Sequence, residues 1–230
     1  MTEYWNHNVH YQPVILDAAP ARCGKALDVG CGDGLLATRL ASKCGAVTGI
    51  DRDARMIALA RERVQAASGA RQTSGAAAYS GAGAGTVTFV EADFRTHQVD
   101  EAEFDFVCAN TVIHHMGTEA ALRAMSRVLR PGGRLAVVGL GARGTPADLL
   151  PDLAAIPLNK YYIRTRGEGY PGDPKLPPDL TWTQVRRTAR RVLPGVRYRR
   201  HLLWRYSLIW DKPAGPPAAT RREAGTAESG

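Results

Sequence analysis

The stretch that most constrains the fold is ALDVGCGDGLL, residues 26–36. An apolar run ends there in three glycines, although glycine weakens the interior of a strand, and a helical pattern begins directly after them. A glycine-rich turn between a strand and a helix lets a ligand lie against the backbone, where N–H groups at the helix N-terminus bind it. The sequence therefore predicts a strand–turn–helix unit that forms part of a binding site.

Strand and helix patterns alternate from this unit to about residue 141. At this spacing they predict βαβ units and a parallel sheet with helices on both faces. Near the C-terminus, VRYRRHLLWRYSLIWDK predicts an antiparallel pair, with one side formed by Trp204, Tyr206, Leu208 and Trp210. We therefore predict an α/β fold, a doubly wound, mostly parallel, seven-stranded sheet with an antiparallel C-terminal edge hairpin.

The composition, with 44% apolar and 23% charged residues, is that of a globular protein. No apolar run approaches the ~18 residues that span a bilayer, and no secretory signal pattern is apparent. The cysteines form no CxxC pair and no metal-ligand spacing; they are Cys23, Cys31, Cys44 and Cys108. We therefore expect reduced thiols in a cytoplasmic protein without a metal site.

Two carboxylates near the glycines indicate the ligand. Asp51 ends the second predicted strand, about 20 residues after Gly32, where a carboxylate binds the hydroxyls of a ribose. Gly32, Gly34 and Ala37 also fit a nicotinamide-dinucleotide fingerprint, which leaves a dehydrogenase open. Asp28, however, precedes the glycines, where a carboxylate would repel a pyrophosphate and suit an ammonium group. The pattern favours S-adenosylmethionine, which has an ammonium group and no phosphate.

Five motifs follow in order over residues 26–141: ALDVGCGDG, VTGIDRDARMIALAR, VTFVEADF, FDFVCANTVIHHM and ALRAMSRVLRPGGRLAVVGL. Together they resemble the class I S-adenosylmethionine-dependent methyltransferases, and within them the small-molecule subgroup that includes the ubiquinone- and menaquinone-type enzymes. The resemblance implies a Rossmann-like fold. It also implies methyl transfer to an O, N or C nucleophile of a small, aromatic or hydrophobic molecule.

The resemblance assigns cofactor contacts position by position. The loop glycines, Asp28 and the backbone at Asn110 would meet the methionyl end, and Asp51 would bind the ribose. Arg52, Met56, Asp93 and Phe94 would surround the adenine, although core packing is the alternative for Met56 and Phe94. The full set is Asp28, Gly30, Gly32, Gly34, Asp51, Arg52, Met56, Asp93, Phe94 and Asn110.

The two histidines of VIHHMG, His114 and His115, follow the fourth predicted strand and are the candidates for a catalytic base. An unperturbed imidazole titrates near ~6.5, which suits deprotonation of a phenol, an amine or an acidic carbon at neutral pH. Strand alternation predicts that only one of the two faces the pocket, and the family resemblance favours His114. The alternative is that both only shape the pocket.

Segments outside the motifs are assigned by the same resemblance. We expect one methyltransferase domain over residues 1–213, in which residues 1–22 cover the cofactor and residues 142–180 recognise the substrate. The expected substrate contacts are Tyr4, Trp5, His10, Tyr11, Tyr161 and Tyr162. The low-complexity insert at 67–86 and the tail at 214–230 are predicted to be disordered. His7 and His10 resemble a metal pair only loosely.

The net charge of +8 raises an alternative function. Arginines crowd the segment from residue 180 to residue 210, as they would along a phosphate backbone. The fourth strand, however, ends without the Asn/Asp-Pro-Pro-aromatic element that grips a flipped base in methyltransferases of base amino groups. We therefore prefer a small-molecule substrate to a nucleic acid. A protein that binds the cofactor without catalysis is the third possibility, and the oligomeric state is not predicted.

Overall fold

The computed structural model describes residues 4–69, 85–166, 169 and 176–215. The helices are α1 (His7–Ala18), α2 (Leu35–Leu40), α3 (Ala54–Gly69), α4 (Thr118–Val128), α5 (Leu149–Arg166) and α6 (Trp182–Val192). The strands are β1 (Cys23–Val29), β2 (Cys44–Asp51), β3 (Thr86–Glu91), β4 (Phe104–Asn110), β5 (Leu129–Gly139), β6 (Arg197–His201) and β7 (Arg205–Asp211). Two 3-10 turns, Ile113–His115 and Pro146–Asp148, precede α4 and α5.

The seven strands form one sheet in the order β3-β2-β1-β4-β5-β7-β6. The first five are parallel to one another, whereas β7 runs antiparallel to both β5 and β6. The predicted fold class is therefore confirmed. The chain order reverses beside β1, and in open α/β sheets the crevice at such a reversal, outside the carboxyl ends of the strands, is where ligands bind.

Both faces of the sheet are buried. Along β4, Val107 and Ala109 pack with α4 and α6, while Phe106 and Cys108 pack with α1 and α2. Strands covered on both faces are continuously apolar, which explains the run FVCA in the sequence. Helix α6 covers the sheet with one face, on which Trp182, Val185 and Ala189 are buried.

Helix α1 begins at His7, where Asn6 caps it by accepting a hydrogen bond from the Val9 N–H at 2.8 Å. The PGG stretch at residues 131–133 lies within β5. Trp204 does not lie with Tyr206 on one side, because Leu203 and Trp204 both have positive φ angles in the β6–β7 turn. This turn directs Trp204 to the opposite hydrophobic cluster.

The expectation of four reduced thiols was also wrong, because Cys23 and Cys44 form a disulfide. The parallel register of β1 and β2 places the two cysteines opposite each other, with Cα atoms 4.6 Å apart. That spacing falls within the range that a disulfide spans. Cys31 and Cys108 are free and buried.

The two segments predicted to be disordered lie mostly outside the described residues. The first residues of the predicted 67–86 insert belong to α3, which continues to Gly69, and its last residue, Thr86, begins β3. In the tail, residues 216–230 are outside the description. None of the helices in the described part of the chain is long and apolar enough to cross a membrane.

Candidate active site

A cleft of about 770 Å³ opens at the carboxyl ends of the parallel strands. Its volume is within the ~300–1,000 Å³ typical of small-molecule sites. Most of the predicted cofactor residues and both histidines line it: Gly30, Gly32, Asp51, Arg52, Met56, Asp93, Phe94, Asn110, His114 and His115. The strands therefore gather at one edge the residues that the motifs indicated.

The glycines of the β1–α2 turn have two different roles. Gly30, Gly32 and Gly34 all have positive φ, which a residue with a side chain rarely adopts. Gly30 and Gly32 line the cleft. Gly34 does not, because it packs against Phe89 and Ala60, where a Cβ atom would collide with both. Gly34 therefore has a packing role in the turn, and its predicted contact with the cofactor stays a prediction.

Asp51 connects the turn to the end of β2. Its Oδ2 accepts a hydrogen bond from the Gly32 N–H at 2.9 Å, and its Oδ1 accepts one from the Asp53 N–H at 3.0 Å. Arg52 and Met56 follow it along the same wall of the cleft. Asp51 thus holds the glycine turn and also faces the cleft.

Asp93 and Phe94 follow β3 on the adjoining wall. The Arg95 side chain donates to both carboxylate oxygens of Asp93, and this pairing lowers the pKa of Asp93 to about 2. Asp93 is therefore an anion at neutral pH. Phe94 is buried, so it belongs both to the core and to the cleft wall.

Asp28 is buried beneath the glycine turn. Its Oδ1 accepts a weak hydrogen bond from the Cys108 thiol at 3.5 Å, and its Oδ2 lacks a well-formed hydrogen bond within the described chain. Burial raises the pKa of Asp28 to about 7, and the charges of Asp51 and Asp33 act in the same direction. Asp28 faces a smaller pocket that adjoins the cleft and is closed by Tyr4, Asn6, Asn8, Val9 and Gln12.

The two histidines lie on the 3-10 turn Ile113–His115, and both line the cleft. The prediction that only one faces the pocket was wrong because β4 ends at Asn110, before the histidines, so strand alternation does not apply. Burial, together with the charge of the nearby His115, lowers the pKa of His114 to about 4. His114 Nδ1 lacks a well-formed hydrogen bond to any described residue.

The N-terminal rings mostly hold α1 against α5. Trp5 stacks on Tyr162, with ring centroids 5.2 Å apart, and His10 packs between Tyr162 and Tyr11. None of the six predicted substrate residues is among the described residues that line the cleft, and Tyr4 lines the smaller pocket instead. The other five are Trp5, His10, Tyr11, Tyr161 and Tyr162. The rings of Trp5, His10, Tyr11 and Tyr162 pack against one another, whereas Tyr161 is 61% exposed. From this part of the chain, the residues that line the cleft are Asn6, His7 and Asn8.

Sequence reasoning missed part of the cleft wall: Asn6, His7, Asn8, Thr111, Val112, Met116, Leu140, Leu176, Trp204 and Arg205. Thr111 has a positive φ of 62°, and the neighbouring Asn110 side chain donates to the Asn8 carbonyl oxygen at 3.0 Å. These contacts join α1 to the end of β4. Among the described residues, no cluster of three or more His, Cys, Asp or Glu side chains could hold a metal ion.

Comparisons with known proteins agree with this geometry. Residues 27–137 match the family model described as a methyltransferase domain. An uncharacterised methyltransferase of Mycobacterium tuberculosis is 32% identical over 93% of this chain and 100% of its own length. The 27-O-demethylrifamycin SV methyltransferase of Amycolatopsis mediterranei is 32% identical over 65% of this chain and 55% of its own length.

A solved structure shares the fold. The S-adenosylmethionine-dependent methyltransferase of Methanosarcina mazei superposes with a TM-score of 0.59 at 20% identity, covering 88% of this chain and 98% of that protein. At this identity the likeness concerns the fold. The assignment to a methyltransferase family rests on the relatives and the family model given above.

Proposed function

Because the chain belongs to the class I S-adenosylmethionine-dependent methyltransferase family, we propose that it binds this cofactor along β1, β2 and β3 and methylates a small organic molecule. The observation that carries the proposal is the continuity of the cleft. One wall contains Gly32, Asp51 and Asp93, and another contains His114 with an apolar group of side chains.

The residues present fit the proposed cofactor. Oδ2 of buried Asp28, which lacks a well-formed hydrogen bond in the described chain, would receive the ammonium group, whose positive charge would favour the ionised carboxylate. Asp51 would accept hydrogen bonds from the ribose hydroxyls, as a carboxylate at the end of a second strand does. Asp93 would accept one from the adenine amino group, and Phe94 would pack on the ring. In this arrangement, Tyr4 and Asn6 enclose the methionyl end rather than the substrate.

The bound cofactor supplies an electrophilic methyl group on a sulfonium. The protein's part is to align the acceptor and exclude water from the cleft, and positioning of this kind lowers a barrier without proton transfer. Because His114 is neutral above about pH 4, it is a weak proton acceptor. We therefore propose that His114 shapes the site and that His115 is the better candidate wherever an acceptor needs a base.

The acceptor side of the cleft favours an apolar molecule. Its lining includes Val112, Met116, Leu140, Leu176 and Trp204, and pockets of this composition bind organic ligands largely through buried surface. A relative named for methylation of 27-O-demethylrifamycin SV is consistent with this class of substrate. The basic segment gives the nucleic-acid alternative no support, since Arg191 pairs with Glu119, Arg197 with Asp211 and Arg200 with Asp148.

Calorimetric titration tests the proposal. We expect S-adenosylhomocysteine to bind the full chain, and NAD and NADP not to bind. Asp51→Ala should weaken binding by about 1.5–3 kcal/mol, the contribution of hydrogen bonds to a charged group. Asp100→Ala, which removes an exposed carboxylate, is the matched control and should bind normally. Binding of a dinucleotide, or an unchanged affinity in Asp51→Ala, would contradict the assignment.

A further inference from the structure

Arg205 is a buried cation at the carboxyl edge of the sheet. It is the first residue of β7, whose next residue, Tyr206, pairs with Gly139 at the end of β5. The antiparallel direction of β7 thus brings the start of this strand to the edge where the parallel strands end. Arg205 is only 7% exposed, and it lines the cleft.

The hydrogen bonds of Arg205 go to neutral groups. Nη2 donates to Oδ1 of Asn8 at 2.8 Å, and Nη1 donates to the carbonyl oxygens of Leu203 and Trp204 at 3.3 and 3.4 Å. Nε has no partner among the described residues, and no described carboxylate lies within ion-pair distance of the guanidinium. Burial lowers the pKa of Arg205 to about 10, so the group is still a cation at neutral pH.

Other arginines that are largely buried are paired with acids. Arg63 forms an ion pair with Asp33, and Arg200 forms one with Asp148 at 2.6 Å. A guanidinium that is buried without a counter-charge is unfavourable. Charged groups of this kind cluster at functional sites, where a bound ligand supplies the opposite charge. The charge of Arg205 also helps to lower the pKa of His114, which places the two side chains close together on the acceptor side.

We propose that Arg205 binds a carboxylate carried by the methyl acceptor, so that the substrates are organic acids with an apolar body. This inference rests on the proposed function, since it assigns the acceptor to the same cleft. The planar fork of an arginine matches a carboxylate, and one cation balances one negative charge. A phosphate monoester would bring a second negative charge into a wall that is otherwise apolar at Met116, Leu140 and Leu176.

The test compares acids with their amides, which have the same shape without the charge. The full chain, saturated with S-adenosylhomocysteine, is titrated with octanoate, cinnamate and benzoate, each beside its amide, and with phenyl phosphate. We expect each acid that binds to bind about 10- to 100-fold more tightly than its amide. Arg205→Met should reduce this preference to less than about threefold. Arg199→Met, which removes an exposed arginine of β6, should keep it.

Each result decides the inference. A lack of acid preference across the three pairs in the wild-type protein, or a preference that survives in Arg205→Met, overturns it, and tighter binding of phenyl phosphate overturns the choice of carboxylate. An arginine with only a structural role would lower the melting temperature of Arg205→Met without changing ligand preference. If Arg205→Met does not fold, Arg205→Lys retains the charge without the fork and should show a reduced preference. Failure of S-adenosylhomocysteine to bind would refute the proposed cofactor instead, so the two failures are distinguishable.

Discussion

The amino-terminal edge of the parallel strands and their carboxyl edge hold buried charges in different ways. At the amino-terminal edge, Oδ2 of Asp105 accepts hydrogen bonds from the N–H groups of Gly24 and Lys25, both at 2.7 Å, and its other oxygen pairs with Arg130. At the carboxyl edge, Asp28 and Arg205 are both buried, and neither forms an ion pair with a side chain of opposite charge in the described part of the chain.

This difference separates residues that stabilise the fold from residues that await a ligand. Unpaired buried groups are unfavourable and rare, whereas paired ones are ordinary structural features. The two unpaired groups have opposite charges and lie in adjoining parts of one cleft. The carboxylate suits the ammonium end of the proposed cofactor, and the guanidinium suits an anionic acceptor. We therefore expect mutations at the two edges to affect different properties.

The largest effect is expected from the disulfide at the amino-terminal edge. Its cysteines are 21 residues apart, and closure of a loop of this size stabilises a protein by about 3 kcal/mol in the chain-entropy account. The double variant Cys23→Ser with Cys44→Ser should lose about this much free energy of unfolding in urea. Its affinity for S-adenosylhomocysteine should be unchanged, because the cleft lies at the opposite edge.

A reducing agent provides the matched control. It should lower the stability of the wild-type protein to that of the double variant and leave the double variant unaffected. Equal stability of the two proteins without reductant, or four free thiols in the native wild-type chain, would contradict the disulfide. A loss of cofactor affinity in the double variant would contradict the separation of the two edges.

A smaller effect is expected at Asp28, as a dependence of cofactor affinity on pH. The pKa of Asp28 is about 7 in the free protein, and an ammonium group binds the ionised carboxylate. Below pH 7 the carboxyl must lose its proton when the ligand binds, so the affinity for S-adenosylhomocysteine should rise about tenfold per pH unit up to about pH 7 and then level off. Calorimetry in buffers of different ionisation enthalpy would detect the released proton.

Asp28→Asn is the control, because it has nearly the same shape and does not titrate. Its affinity should be lower and nearly independent of pH. If the wild-type protein bound equally well at pH 6 and pH 8, Asp28 would not meet the ammonium group. The buried carboxylate at this position would then need another explanation.

The part of the site that could be predicted from the sequence is the part encoded by local pattern. The spacing from Gly32 to Asp51 is a property of one strand–helix–strand unit, and the structure places both residues in the cleft through a direct hydrogen bond. Alternation of strands and helices likewise predicted the parallel part of the sheet, because parallel strands need crossover connections. These features depend on residues close together in the chain.

The features that were missed depend on contacts between distant segments. The Cys23–Cys44 bridge follows from the register of β1 and β2, which no local pattern specifies. Arg205 stands in the sequence among exposed arginines such as Arg199, and only the packing of β7 beside β5 and α1 shows that its side chain is buried. The rings of the N-terminus were assigned to the substrate because their packing against α5 could not be seen.

The smallest effect is expected at His114. Because burial keeps its imidazole neutral above about pH 4, His114→Gln should lower kcat by less than about tenfold on an acceptor identified by the acid–amide comparison. Loss of a general base would lower it by about 10²- to 10⁴-fold. His115→Gln, on the same turn, is the comparison variant.

Stability supplies a readout that needs no substrate, since His114 takes up a proton near pH ~6.5 in the unfolded chain but only near pH 4 in the fold. The wild-type protein should therefore lose stability as pH falls from about 6.5 to about 4, and His114→Gln should lose less. If His114→Gln lowered kcat by about 10²-fold or more and lost as much stability at low pH as the wild-type protein, His114 would again be the candidate base.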